Sequence, residues 1–189
     1  MLGPMPTTAP TLETERLRLH GHGVADFADS AAMWGDAEVM RFMGGRPFSE
    51  EEVWTRLLRY IGHWAAMGYG YWAIRDKASG RFLGEAGFAD LKRAVDPPFG
   101  EAPEIGWALV PSAHGRGIGR EAVAAVLAWG DAAFGQSSRT VCMINPENLA
   151  SVRLATRFGY QPYAQAEYKG APTVLFERNS SASQDSLAL

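Results

Sequence analysis

The spacing of apolar residues switches several times between a two-residue and a three-to-four-residue period, and the switches divide the chain into elements. Arg16 to His20 alternates, with Leu17 and Leu19 on one face, and predicts a strand; Asp26 to Trp34 predicts a short helix. Ser49-Glu-Glu-Glu52 has the form of a capping box, in which the serine hydroxyl and the third carboxylate close a helix start. The helix it opens carries Val53, Leu57, Ile61, Trp64 and Met67 on one apolar face, and Gly68 and Gly70 end it. Strands follow near Tyr71–Arg75 and Phe82–Ala89, joined by a turn over Lys77–Gly80. Leu91 to Pro103, with three prolines, reads as a mobile loop before a strand over Glu104–Val110. A helix then runs to about Phe134, burying Val123, Val126, Leu127, Gly130 and Phe134. Thr140–Ile144 predicts a strand, Asn148–Phe158 a helix, and Tyr160–Tyr168 with Thr173–Arg178 a closing hairpin. This order describes one α/β domain with a mixed sheet over residues 12–178, between a Pro/Thr-rich segment at 1–11 and a Ser-rich tail at 179–189, both expected to be disordered.

Composition narrows the class. The 189 residues suit one domain, and a hydrophobic share of 47% is enough for a full core. There is no run of ~18 apolar residues and no charged segment followed by an apolar one at the start, so the expectation is a cytoplasmic protein without a membrane partner. Cys142 is the single cysteine, which excludes an intramolecular disulfide and a cysteine metal cluster. The histidines His20, His22, His63 and His114 lack zinc spacing, and no metal is expected. A net charge of −3 argues against a nucleic-acid partner.

The chemistry is concentrated in Val110-Pro-Ser-Ala-His-Gly-Arg-Gly-Ile-Gly-Arg-Glu-Ala122, between the strand at Glu104–Val110 and the long helix. Gly115, Gly117 and Gly119 leave the backbone uncovered where a helix begins, and free N–H groups at the positive end of a helix dipole cradle an anion. A nucleotide P-loop would need Lys-Ser/Thr after the last glycine, where Arg120 and Glu121 stand. A dinucleotide fingerprint starting at Gly115 would need a glycine at Arg120.

The stretch resembles the acyl-CoA pyrophosphate loop of the GNAT N-acetyltransferases, Gln/Arg-x-x-Gly-x-Gly/Ala, with Gly117 and Gly119 in register and His114 departing from the leading Gln or Arg. Other segments resemble the branch that acetylates ribosomal-protein N-termini: Leu12 to Leu19, Trp34 to Gly44, Glu104 to Pro111, Asn145 to Ser151, and Phe158-Gly159-Tyr160. The resemblance spans about Leu12 to Glu177. It implies an α/β (α+β) GNAT-like domain, a mixed and mostly antiparallel central sheet whose central parallel strands splay, flanked by helices. The implied donor is acetyl-CoA. Its pyrophosphate would lie on His114, Gly115, Arg116, Gly117, Ile118, Gly119 and Arg120, and its pantetheine along Ala108, Leu109 and Val110, with Asn148 and Ser151 near the arm and the sulfur.

Three residues are candidates for proton transfer. Ala155 stands where many members carry a tyrosine acid, so Ser151 is the candidate donor to the leaving thiolate, and Glu104 or Glu85 the base. Cys142, inside the apolar run Val-Cys-Met-Ile, reads as core rather than nucleophile. The acceptor wall is expected from Trp34, Met40, Phe42, Trp64, Tyr69 and the 91–103 loop, with Trp64 also suited to the core; such aromatic walls with few charges suit an apolar or peptide-like acceptor. The expected activity is direct acetyl transfer from acetyl-CoA to a primary amine: a protein N-terminus, an amino acid or a small amine. The alternatives are a non-catalytic acyl-CoA-binding module and a nucleotide-binding protein using the same cradle. The resembling branch also suggests a homodimer.

Overall fold

The computed structural model describes residues 6–135 and 138–180. Eight strands form one sheet in the order β1-β2-β3-β4-β5-β6-β8-β7. In chain order they are β1 (Leu12–Glu13), β2 (Leu17–Gly21), β3 (Tyr71–Asp76), β4 (Phe82–Ala89), β5 (Glu104–Leu109), β6 (Arg139–Ile144), β7 (Gln161–Tyr168) and β8 (Ala171–Asn179). The helices are α1 (Phe27–Trp34), α2 (Ala37–Met40), α3 (Glu50–Met67), α4 (Ile118–Phe134) and α5 (Leu149–Arg157). Neighbouring strands are antiparallel except β5 and β6. That parallel pair is in register only at Glu104 and Val141, beside a Val141 N–H bond to the Pro103 carbonyl, and beyond it the strands part. Past β6 the sheet continues through β8 to β7, so the gap is an opening inside a continuous sheet.

Each face of the sheet has its own cover. Leu17, Leu19, Trp72, Ile74, Ala86, Phe88 and Ile105 pack with Ile118, Val123, Val126 and Leu127 of α4, and with Trp64 from the end of α3. Ala73 and Ala108 pack under Met33 and Trp34 of α1, Met40 of α2 and Val53 of α3. Farther along, Val95 and Phe99 of the 91–103 loop sit on Val141 and Leu175. That loop, expected to be mobile, is thus anchored by two buried apolar side chains.

The capping box forms as the sequence predicts: Glu52 N–H donates to the Ser49 hydroxyl, and Glu52 accepts from Ser49 N–H. The buried stripe of α3 differs from the expected one. It consists of Val53, Leu57, Tyr60 and Trp64, while Ile61 and Met67 are exposed. Position 61 lies one residue, about 100°, past the row set by 57, 60 and 64. Among the segments expected to be disordered, residues 1–5 and 181–189 lie outside the described residues. Residues nearer the domain make contacts: Ala9 packs on the first core, and the Pro10 carbonyl accepts from Trp72 Nε1 at 2.7 Å.

Candidate active site

The glycine cradle lies where β5 ends and α4 begins. Gly115 and Gly117 have φ of 69° and 75°, in the left-handed region that disfavours other residues. Gly117 is the N-cap of α4, and no side chain caps it, whereas Asp36, Ser49 and Asn148 cap α2, α3 and α5. The first N–H groups of α4 therefore have no side-chain acceptor, and the donor set suits a pyrophosphate. Arg120 is exposed beside the cradle and lines, with Arg157 and Phe158, an open depression of about 380 Å³. Arg116 instead turns back to the Ser112 carbonyl.

The cradle is pinned from a distance by residues that the local pattern does not reveal. Arg16 donates to the Arg116 carbonyl at 2.9 Å. Glu121 accepts from the Thr14 hydroxyl, from Arg16 N–H and from Arg16 Nε. Burial alone would raise the Glu121 carboxyl, but these hydrogen bonds outweigh it and hold it below its ordinary value.

β5 leads from the cradle into the gap. Val110 N–H donates to Leu83 of β4, and ladder groups alternate along a strand, so Leu109 N–H turns the other way, into the gap. His114 Nε2 lies 3.1 Å from the Leu109 carbonyl. The Asn148 side chain accepts from Ser151 N–H and opens α5. Ser151 Oγ accepts from Trp107 Nε1 at 3.2 Å, which leaves the hydroxyl proton available. That bond ties the first turn of α5 to β5.

On the other face, Tyr71, Ala73, Glu85, Gly87, Gly106 and Ala108 share one side of β3, β4 and β5. Glu85 stands opposite Ala108 and is buried. Its Oε1 accepts from the Tyr60 hydroxyl, and its Oε2 has no hydrogen-bond partner. Burial pushes the Tyr60 phenol well up, so it stays a donor. Arg56 Nε donates to the same hydroxyl at 2.7 Å, and its guanidinium lies 4.0 Å over the Trp34 ring. The Tyr71 hydroxyl lies over Gly106, where a Cβ would meet it at 2.0 Å, so only glycine fits there. None of Arg56, Tyr60, His22 and Tyr71 stands out in the sequence as a site residue; only their convergence on Glu85 and β5 marks them.

Other expected residues are placed elsewhere. Both oxygens of Glu104 are taken by Arg93, at 2.8 and 2.9 Å, and Arg93 also donates to the Tyr168 hydroxyl. Glu104 thus ties the 91–103 loop to the root of the splay. Tyr69 lies against Phe134 and His63, in the core beneath α4 and away from Trp34. Trp64 is core, against Trp72 and Trp129. Met40 is wholly buried with Trp34, and Phe42 is half-buried beside Arg41. The face around Trp34 is also more charged than its aromatic residues suggest, because Arg56 and Glu85 sit within it. Burial raises the Cys142 thiol well above its usual range, as befits a core residue. Among the described residues no group of three or more His, Cys, Asp or Glu is placed to hold a metal, and no helix is long and apolar enough to cross a membrane.

A splayed parallel pair with a bare helix start at its mouth offers an anion-binding donor set beside an open gap in the sheet. The acetyltransferase (GNAT) domain family matches residues 16–161, and the chain belongs to that family. A Bordetella pertussis protein described as a GnaT-family acetyltransferase is 36% identical, with a TM-score of 0.80 over 90% of this chain and 99% of that one. The uncharacterized N-acetyltransferase p20 of Bacillus licheniformis is 28% identical over 152 residues, 80% of this chain and 82% of its own length. RimL, the ribosomal L7/L12 α-N-protein acetyltransferase in complex with coenzyme A, shares the fold at 19% identity, with a TM-score of 0.73 over 92% of this chain and 99% of its own.

Proposed function

We propose that the protein transfers an acetyl group from acetyl-CoA to a primary amine by direct attack within a ternary complex. The observation that carries this reading is the arrangement at the splay: bare α4 amides, the Leu109 N–H and the Ser151 hydroxyl lie along one path from cradle to gap. The pyrophosphate lies on the cradle amides, and the pantetheine runs along Ala108, Leu109 and Val110. Leu109 N–H donates to the thioester oxygen and stabilises the charge that gathers there. The amine nitrogen forms the new bond to the acetyl carbon, the carbon–sulfur bond breaks, and the products are an amide and free CoA thiol.

The nitrogen must shed a proton. An α-amino group titrates near ~8 and a lysine near ~10.4, so the acceptor needs a base whose strength depends on its class. Glu85, directly or through a water, is that base, because its Oε2 is free while Arg93 holds both oxygens of Glu104. Ser151, or a water, returns a proton to sulfur. Calorimetric titration with acetyl-CoA, followed by thiol release with a panel of amines, tests the reading. Saturable one-to-one binding with amine-dependent thiol release is the expected result. Binding without thiol release would leave a non-catalytic acyl-CoA module, and no binding by folded protein would remove the donor assignment.

A further inference from the structure

The polar cluster on the acceptor face is incompletely satisfied in a way that points to a ligand. Two arginines elsewhere in the protein meet a carboxylate through two nitrogens each. Arg93 grips Glu104 through two nitrogens, and Arg178 grips Asp131 through two. Arg56 does not. It turns only Nε toward Tyr60 and Glu85, 3.6 Å from Glu85 Oε1, and its two terminal nitrogens have no hydrogen-bond partner among the described residues. Its side chain is 23% exposed, so the open end of the fork can be reached. The guanidinium carbon lies 4.0 Å from the centre of the Trp34 ring, a cation–π contact that helps to position it.

Buried polar atoms nearby are also unpaired: Glu85 Oε2, both ring nitrogens of His22, and Trp34 Nε1. Native proteins leave few such atoms without a partner. His22 Nε2 and Glu85 Oε2 are 3.8 Å apart, too far to satisfy each other. The orphans sort into two kinds. The Arg56 fork and the Trp34 indole are donors, which call for an anion. Glu85 Oε2 and one nitrogen of the neutral His22 ring are acceptors, which call for an amine or ammonium. Glu85 faces Ala108 across the ladder, one residue from the Leu109 amide, and Trp34 packs on Ala108.

We propose that the acceptor is a small amino-carboxylate of the α-amino-acid type, its carboxylate held by the open fork of Arg56 over Trp34 and its nitrogen by Glu85 beside β5. The inference rests on the acetyl-transfer reading and narrows its substrate. A peptide or protein N-terminus carries the amine but has only a neutral carbonyl where Arg56 waits.

The test is thiol release by the full chain at saturating acetyl-CoA, across the common L-amino acids and β-alanine. Each is paired with its carboxamide and its decarboxylated amine. At least one acid is expected to exceed its partners in kcat/KM by about 30-fold, chiefly through KM, as the loss of a bidentate charged contact would give. Arg56→Met should bring acid and partners to within about 3-fold of one another, and Arg56→Lys should restore part of the preference. Damage to Glu85 or to the fold would lower acid and partners alike, so the ratio isolates the carboxylate contact. Equal use of acids, amides and simple amines, unchanged in Arg56→Met, would overturn the proposal and leave acetyl transfer standing; the orphans would then be met by water. Thiol release with no amine would overturn the transfer reading. In that case ligand-observed NMR with CoA-loaded protein decides the proposal: amino-acid binding lost in Arg56→Met supports it, and no amino-acid binding overturns it.

Discussion

Gly117 is where the proposed binding role and the demands of the fold can be separated. Its φ of 75° lies in the left-handed region, and it is the uncapped start of α4. A Cβ there would approach Arg16 no closer than 3.5 Å, an ordinary contact. Gly117→Val therefore meets little steric opposition and costs about 1–3 kcal/mol of backbone strain, a part of the ~5–15 kcal/mol that holds a typical domain together. A valine side chain would, however, stand over the amides proposed to receive the pyrophosphate. Losing two such charged hydrogen bonds, at about 1.5–3 kcal/mol each, predicts a drop in acetyl-CoA affinity of about 100-fold or more. Calorimetry and a thermal melt on the same sample check both halves. Unchanged affinity would remove the cradle assignment. The cradle is legible in sequence because backbone amides are exposed by glycine, and glycine can be read directly. The surroundings of Glu85 are not, because Arg56, Tyr60 and His22 gain meaning only when α3 and the turn after β2 fold over β4.

At the scale of elements, most strands and helices are legible because each keeps one period for its whole length. What the period does not encode is the partner. No local signal places β8 between β6 and β7, and none says that the turn between β1 and β2 grips the start of α4. That grip is a single cluster, Thr14 and Arg16 on Glu121, with Arg16 reaching on to the Arg116 carbonyl. Glu121→Ala removes three hydrogen bonds at once. With Arg16 43% exposed, solvent weakens them, and the expected loss is about 1–2 kcal/mol, about 2–8 °C in Tm. Freed from Glu121, Arg16 should also release the loop. Acetyl-CoA affinity should therefore fall as well, although Glu121 is not among the proposed CoA contacts. A lower Tm with full affinity would mean that the cradle holds its shape without the grip.

For the molecule as a whole, the buried titratable groups set a direction for stability against pH. His22 is fully enclosed, and burial lowers its pKa below the ordinary 6.5. Glu85 and Asp26 oppose that shift, while His20 and Arg56 reinforce it. From about pH 6.5 downward the unfolded chain therefore takes up this proton before the folded one does, and stability falls with pH. Asp26 and Glu121 behave in the same sense at lower pH. Burial would raise Asp26, but the bonds from Arg75 and Gly23 N–H outweigh it, and both carboxyls lie below their ordinary values of 3.8 and 4.5. Their contribution is complete above those values and is lost as pH drops through the lower folded ones. The Tm should thus be highest above pH 6.5 and descend in two stages, first through His22 and then, below about 4.5, through the carboxylates. One proton gives a slope of at most about 1.4 kcal/mol per pH unit, or about 3–6 °C. His22→Leu should flatten the first stage and leave the second in place, whatever it does to the absolute Tm. A wild-type Tm that stays level from pH 8 to pH 5 would show that His22 takes up its proton as readily in the fold as in the unfolded chain, against the direction that burial sets.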